Sequence, residues 1–203
     1  TSAFSLTSII VGWIGTTALA AHQVMLTISQ VGFMVYYGIG AAAAVRISNA
    51  MGQRDYRAAR GNAYAAFQIV MMLAVVVGAV VFTLRHNIGS LFTPNDDVVH
   101  LVSLTVWPFL VYQIGDGMQI VFGNSLRGLA HVRPLVIYAF LAFFVISLPL
   151  SYLFGITLDL GLIGVWYSFP FGLTTSGLLY FLAFRRQLDR LTRSGSERLA
   201  TEK

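Results

Sequence analysis

The sequence predicts an all-α, polytopic membrane protein with six transmembrane helices, and three observations predict it. Only 10% of the 203 residues are charged and 57% are hydrophobic, with a mean hydropathy of +0.74; a soluble domain is about one-quarter charged. The apolar residues gather into six runs, about 3–21, 24–45, 63–84, 98–123, 135–155 and 162–184, and each reaches the roughly 20 residues that a bilayer-crossing helix needs. The charges collect almost entirely between those runs.

Taken in order, the first run carries Ser5, Ser8, Gly12 and Gly15 at helical spacing, a face suited to close helix packing. It ends at the uncharged link His22-Gln23, where a lone histidine reads as a cap or turn residue. The second run bears a polar stripe, Gln23, Thr27 and Gln30, and the segment Tyr36-Tyr37-Gly38-Ile39-Gly40. It closes on Arg46, Asn49 and Gly52; Arg54, Arg57 and Arg60 follow against the single acid Asp55. Asp55 to Ala66 reads as an amphipathic helix lying on the membrane. The third run leads to Arg85, opposed by Asp96 and Asp97. The fourth would measure roughly 39 Å if fully helical at 1.5 Å per residue, so it must tilt, kink or protrude. Arg127 and Arg133 follow it, Asp159 follows the fifth run, and a polar basic tail, 185–203, follows the sixth. That tail reads as frayed from Arg190. Pro108, Pro149 and Pro170 lie inside runs, where each frees a carbonyl one turn earlier.

Basic excess alternates from link to link. The positive-inside rule therefore puts Arg46–Asn62, Asn124–Pro134 and the tail on the cytoplasmic side of the plasma (inner) membrane, and the amino end with them. The net charge of +5 thus reflects topology and anionic headgroups, and no nucleic-acid partner is implied. Trp13, Trp107 and Trp166 read as interface anchors or lipid contacts. His86, His100 and His131 are isolated in sequence, and cysteine is absent, so neither a histidine cluster nor a thiolate site is expected. No GxxxxGK[ST], HExxH or GxSxG occurs, and no enzyme is predicted. The chain opens at Thr1 inside an apolar run and without a signal-peptide pattern, which reads as a cut inside a longer protein.

One acid breaks the pattern. Asp116 lies within the fourth run, where a central aspartate costs about 2.5–3.5 kcal/mol on insertion scales. Helical spacing puts Tyr112 and Gln113 one turn before it and Gln119 one turn after, and Gly115 and Gly117 flank it. Such a stripe must face protein or trapped water. A carboxyl in that position can bind a proton, a sodium ion or a cationic substrate; the alternative is a protonated acid that only bridges two helices. Gln113, Gln30, Tyr36 and Tyr37 are candidates for a substrate wall, and Arg46, Asn49 and Arg127 for a cytoplasmic gate.

Ala20-Ala21-His22-Gln23, Gly40-Ala41-Ala42 leading to Arg46, Asn49 and Gly52, Asp116 with Gln119, and Leu126-Arg127-Gly128 together resemble the multidrug and toxic compound extrusion (MATE) family. The likeness is to its carboxyl-terminal half and runs from Thr1 to about Arg186. The resemblance implies one lobe of a twelve-helix secondary antiporter that exports organic cations and drugs in exchange for sodium ions or protons, with no cofactor. It implies a partner, the amino-terminal lobe, which is absent from this chain. It matches Asp116 to the lobe's cation site, with Tyr112 as its tyrosine partner. A further family acid would fall at or just before Thr1. Val35-Tyr36-Tyr37 stands where some members carry a proline, so no bend is inferred there. Two other classes compete: a related flippase of lipid-linked oligosaccharides, which needs cationic groups for phosphates, and a non-transport membrane scaffold, which needs no buried acid.

Overall fold

The computed structural model describes residues 2–201, with side chains described for 5–194. Six helices follow one another: α1 Ser2–Ile14, α2 Thr16–Gly52, α3 Tyr56–Thr83, α4 Asp96–Gly128, α5 Arg133–Thr157 and α6 Gly161–Thr201. A short 3₁₀ turn, Gly89–Leu91, lies between α3 and α4. By length and apolarity α2, α3, α4 and α5 can each cross a bilayer. The described part of α1 is only 13 residues. In α6 the apolar run is diluted by Ser168, Thr174, Thr175 and Ser176 on or near its packed face.

The helix ends have local causes. Asp55 caps α3 by accepting from the Ala58 N–H at 2.8 Å. Asn95 caps α4 by accepting from the Asp97 and Val98 N–H groups, and Asp96, Asp97 and Arg127 match the helix dipole at the two ends. Within α5, Pro149 has no N–H to offer the preceding turn. The flanking stretches Leu141–Ser147 and Leu153–Thr157 are π-helical, and the Leu148 N–H reaches five residues back to Phe143.

α4 occupies the centre. It packs against α6, α2 and α3 and is buried along most of its length. Helix association in lipid gains little from the hydrophobic effect and relies on close packing. A Cβ on Gly128 would stand 2.7 Å from the Ala44 carbonyl oxygen of α2, and one on Gly115 would stand 3.0 Å from the Thr174 nitrogen of α6. Three apolar clusters line the axis. Trp166, Phe109 and Met25 belong to the first, Tyr36, Val70 and Val121 to the second, and Ile47, Phe122 and Phe184 to the third.

Several expectations are corrected. The first turn of the chain lies at Gly15, not at His22-Gln23: Gly15 takes φ +149°, a backbone conformation that L side chains rarely adopt. His22 is therefore not a junction residue but a fully buried one inside α2. Its Nδ1 accepts from Trp166 Nε1 at 3.1 Å and its Nε2 lies 3.3 Å from Ser8 Oγ. Trp166 is likewise fully buried, whereas Trp13 and Trp107 are exposed. Gly12 has open space around it instead of a close helix contact. Asp55–Ala66 is not a separate surface helix; all but its first residue is the start of α3. From Arg190 the tail is helical, as α6 continues to Thr201. Leu188 is fully buried among Ala59, Ala63 and Phe184, and Asp189 pairs with Arg60 of α3. Thr1, Glu202 and Lys203 lie outside the described residues, and so does the acid expected at or before Thr1.

Gly128→Ala should lower stability by about 1–3 kcal/mol through overpacking against α2. Thermal unfolding in detergent checks this; an unchanged midpoint would show that the α2–α4 contact is looser than described.

Candidate functional site

The site grows from one ridge on each of two helices. On α2, Ser29, Gly32, Tyr36 and Gly40 recur at spacings of three and four residues and are all buried, so they form one face. On α4, Tyr112, Gln113 and Asp116 do the same. Gly32 leaves room for Gln113, whose Oε1 would lie 3.4 Å from a Cβ added there. Across that contact the Tyr36 hydroxyl donates to Gln113 Oε1 at 2.6 Å. Tyr112 interacts with Ser29, and both tyrosines lie within electrostatic reach of Asp116. Ser29 in turn donates to the Leu26 carbonyl at 2.8 Å.

Asp116 is 4% exposed and Gln113 is 3% exposed. Asp116 Oδ2 and Gln113 Nε2 are buried with no hydrogen-bond partner among the described residues. Leaving such groups unpaired is costly. A carboxyl oxygen is satisfied by taking a proton or a cation, and hydroxyl and amide oxygens such as those of Tyr112 and Gln113, on the same face of α4, are hard donors of the type such cations accept. Among the described residues Asp116 is the only buried acid.

The other candidates are placed differently. Gln119 does not join Asp116; it turns towards Tyr180 of α6 and lines a separate cleft with Tyr37 and Arg127. Gln30, like Gln23 and Thr27, is exposed on α2. Arg46 and Asn49 are exposed on its last turns. Arg127 donates to Asn124 Oδ1 at 3.1 Å. Sequence reasoning missed Ser29, Asn124 and Tyr180. The Ser29-Gly32-Tyr36-Gly40 spacing was the available signal for the first.

A second network supports the site. The His22 ring lies edge-on to Trp166 at 5.9 Å, and Trp166 lies edge-on to Tyr112 at 5.8 Å. Phe169 packs against His22, Trp166 and Tyr112. The wall behind Tyr112 is thus a bonded, aromatic block joining α1, α2, α4 and α6.

A family model described as MatE matches residues 1–153. The chain belongs to the MatE family. This MATE chain is 32% identical over 202 residues to the multidrug resistance protein MdtK of Proteus mirabilis, covering 96% of the chain and 44% of that relative. It is 33% identical over 192 residues to a probable multidrug resistance protein NorM of Bradyrhizobium diazoefficiens, covering 93% and 41%. Its fold matches that of the eukaryotic MATE transporter AtDTX14 with a TM-score of 0.82 at 21% identity, over 93% of this chain and 44% of that one. It also matches an outward-facing MATE family transporter of the MOP superfamily with a TM-score of 0.87 at 18% identity, over 94% and 43%. The chain thus spans under half the length of the relatives it matches.

Tyr36→Phe and Gln113→Leu should each destabilise the protein, and the double variant should lose less than the two combined. The coupling expected for one buried hydrogen bond is about 1 kcal/mol. Additive losses in a double-mutant cycle would mean that the two side chains do not share that bond.

Proposed function

We propose that this chain is the carboxyl-terminal lobe of a secondary antiporter that exports drugs and organic cations in exchange for sodium ions or protons. In this reading residues 1–184 are the six-crossing lobe, 185–203 is its basic cytoplasmic extension, and the amino-terminal lobe completes the transporter in the plasma (inner) membrane. The observation that carries the reading is the buried, incompletely bonded Asp116 on the most enclosed helix. Intramembrane acids of this kind mark ion pathways. The relatives named as multidrug resistance proteins support drugs as the cargo.

Asp116 takes the coupling ion, with Tyr112 as its near partner and Gln113 and Tyr36 as the bonded wall. Coupling requires that the ion bind one conformation better than the other; tight binding alone shifts nothing. The six apolar runs contain no Lys or Arg, which argues against the flippase reading, whose cargo carries phosphates. A scaffold has no use for a buried acid left short of a hydrogen bond.

In the full-length protein, Asp116→Asn should insert and accumulate normally yet lose ion-dependent drug export from everted vesicles. Export that keeps its ion dependence would reduce Asp116 to a structural residue. Reconstituted alone in liposomes, residues 1–203 should show no antiport, since half of the cavity wall is missing; measurable exchange would refute the lobe assignment.

A further inference from the structure

A groove of about 520 Å³ runs between α3 and α4. At one end Phe82 and Trp107 meet edge-on at 5.3 Å, and the Arg85 guanidinium lies over the Phe82 ring at 4.2 Å. A charge and an indole at that level mark the water interface. The other end is formed by Met71 and Gln113. A Cβ on Gly117, one turn beyond Gln113, would run into the Met71 methyl. From Arg85 back to Met71 is roughly 21 Å along a helix that rises 1.5 Å per residue. The deep end therefore lies near the middle of a hydrocarbon layer about 30 Å thick. Val75 and Ile114 of the lining are exposed, at 72% and 57%, so the groove opens sideways, towards acyl chains.

Apart from the Trp107 indole, Gln113 is the one lining residue with polar side-chain atoms. Its amide is half used. Oε1 turns to α2 and accepts from Tyr36, whereas Nε2 is buried with no partner among the described residues. Hydrocarbon supplies neither water nor a headgroup at that depth, and an acyl tail has no acceptor to offer. We propose that the groove binds an uncharged carbonyl compound dissolved in the bilayer, its apolar body between α3 and α4 and its oxygen accepting from Gln113 Nε2. A charged ligand is excluded by the cost of carrying an ion to that depth. A ligand with only a donor would set N–H against N–H. Met71, unbranched and adaptable, is the side chain that yields as the oxygen enters. The volume is within the range of small-molecule sites. The same amide holds Tyr36 at 2.6 Å and stands one turn before Asp116, so occupancy stiffens the wall of the acid site from the lipid side. An effect on transport rests on the antiporter reading; the binding does not.

The test uses the full-length transporter that carries this chain, in phosphatidylcholine nanodiscs, photolabelled with 4-decylbenzophenone and mapped by mass spectrometry. Label should fall on Met71 or its neighbours in the groove. Three flat, uncharged competitors of nearly one shape are then compared at equal concentration in the bilayer. Fluorenone carries an acceptor, carbazole carries only a donor, and fluorene carries neither. Fluorenone should compete about tenfold better than fluorene, the scale of one buried hydrogen bond, and carbazole no better than fluorene. Gln113→Leu should erase the fluorenone advantage while fluorene competes as before. Ala79→Trp, which fills the groove from its exposed wall, should abolish labelling there. Carbazole matching fluorenone would overturn the proposal, and so would fluorene matching it, which would make the groove a slot for lipid tails. An advantage that survives Gln113→Leu, or labelling that survives Ala79→Trp, would overturn it equally. No label in the groove would do the same, because it would mean that another helix of the transporter covers it.

Discussion

The constraint on which this lobe depends is that a carboxyl on a short stem cannot be left against acyl chains. Asp116 sits too deep in α4 to reach the interface, so α4 has to be wrapped by other helices. It is the most enclosed of the described helices, with α6, α2 and α3 around it. The wrapping uses small residues where the neighbours arrive. Gly115 admits the α6 backbone, Gly117 admits Val70 and Met71 of α3, and Gly128 admits Ala44 of α2. These contacts matter more than apolar burial, because lipid tails solvate apolar side chains as well as a neighbouring helix does.

Much of this was legible in the residues. The α2–α5 cylinders follow from apolar length and from charges between the runs, and the buried acid follows from its cost. Of the two glycines flanking Asp116, Gly115 meets the α6 backbone and Gly117 meets side chains of α3. Boundaries were less legible. The uncharged stretch from Thr16 to Ala21 cannot distinguish a turn at His22 from one at Gly15, since such a stretch is silent about where it reverses and only the φ of Gly15 decides it. On α2 the eye goes to Gln23, Thr27 and Gln30 because they are polar, yet they are the exposed face. The packed face is the less conspicuous Ser29-Gly32-Tyr36-Gly40, since in lipid the interface is marked by size more than by polarity.

His22 and Trp166 show a second limit. Each residue alone has an ordinary explanation, a cap for one and an interface anchor for the other. Their partnership spans 144 positions, and no local pattern encodes it. A buried indole needs an acceptor for its N–H, and a buried imidazole supplies one nitrogen as acceptor and the other as donor. With Nδ1 accepting from Trp166, Nε2 is left to donate to Ser8. The pair thus satisfies three helices at once and fixes the ring against which Tyr112 packs.

The arrangement along α4 bears on how its two ends could communicate. Asp116 and Arg127 are eleven residues apart, roughly 16 Å along a helix that rises 1.5 Å per residue. Arg127 is exposed, and charges near water are largely screened beyond about 10 Å at 0.1 M salt. Direct attraction between the two groups is therefore a minor effect. What joins them is mechanical: one continuous helix, keyed by glycine contacts to α2, α3 and α6, with Gln119 between them turned to Tyr180. Loading Asp116 can change the cleft only by changing how α4 seats against those neighbours. α5, whose π-helical stretches flank Pro149, packs chiefly against α6. Any coupling between the two ends of α4 is therefore carried by how the helix packs and not by the field of its acid.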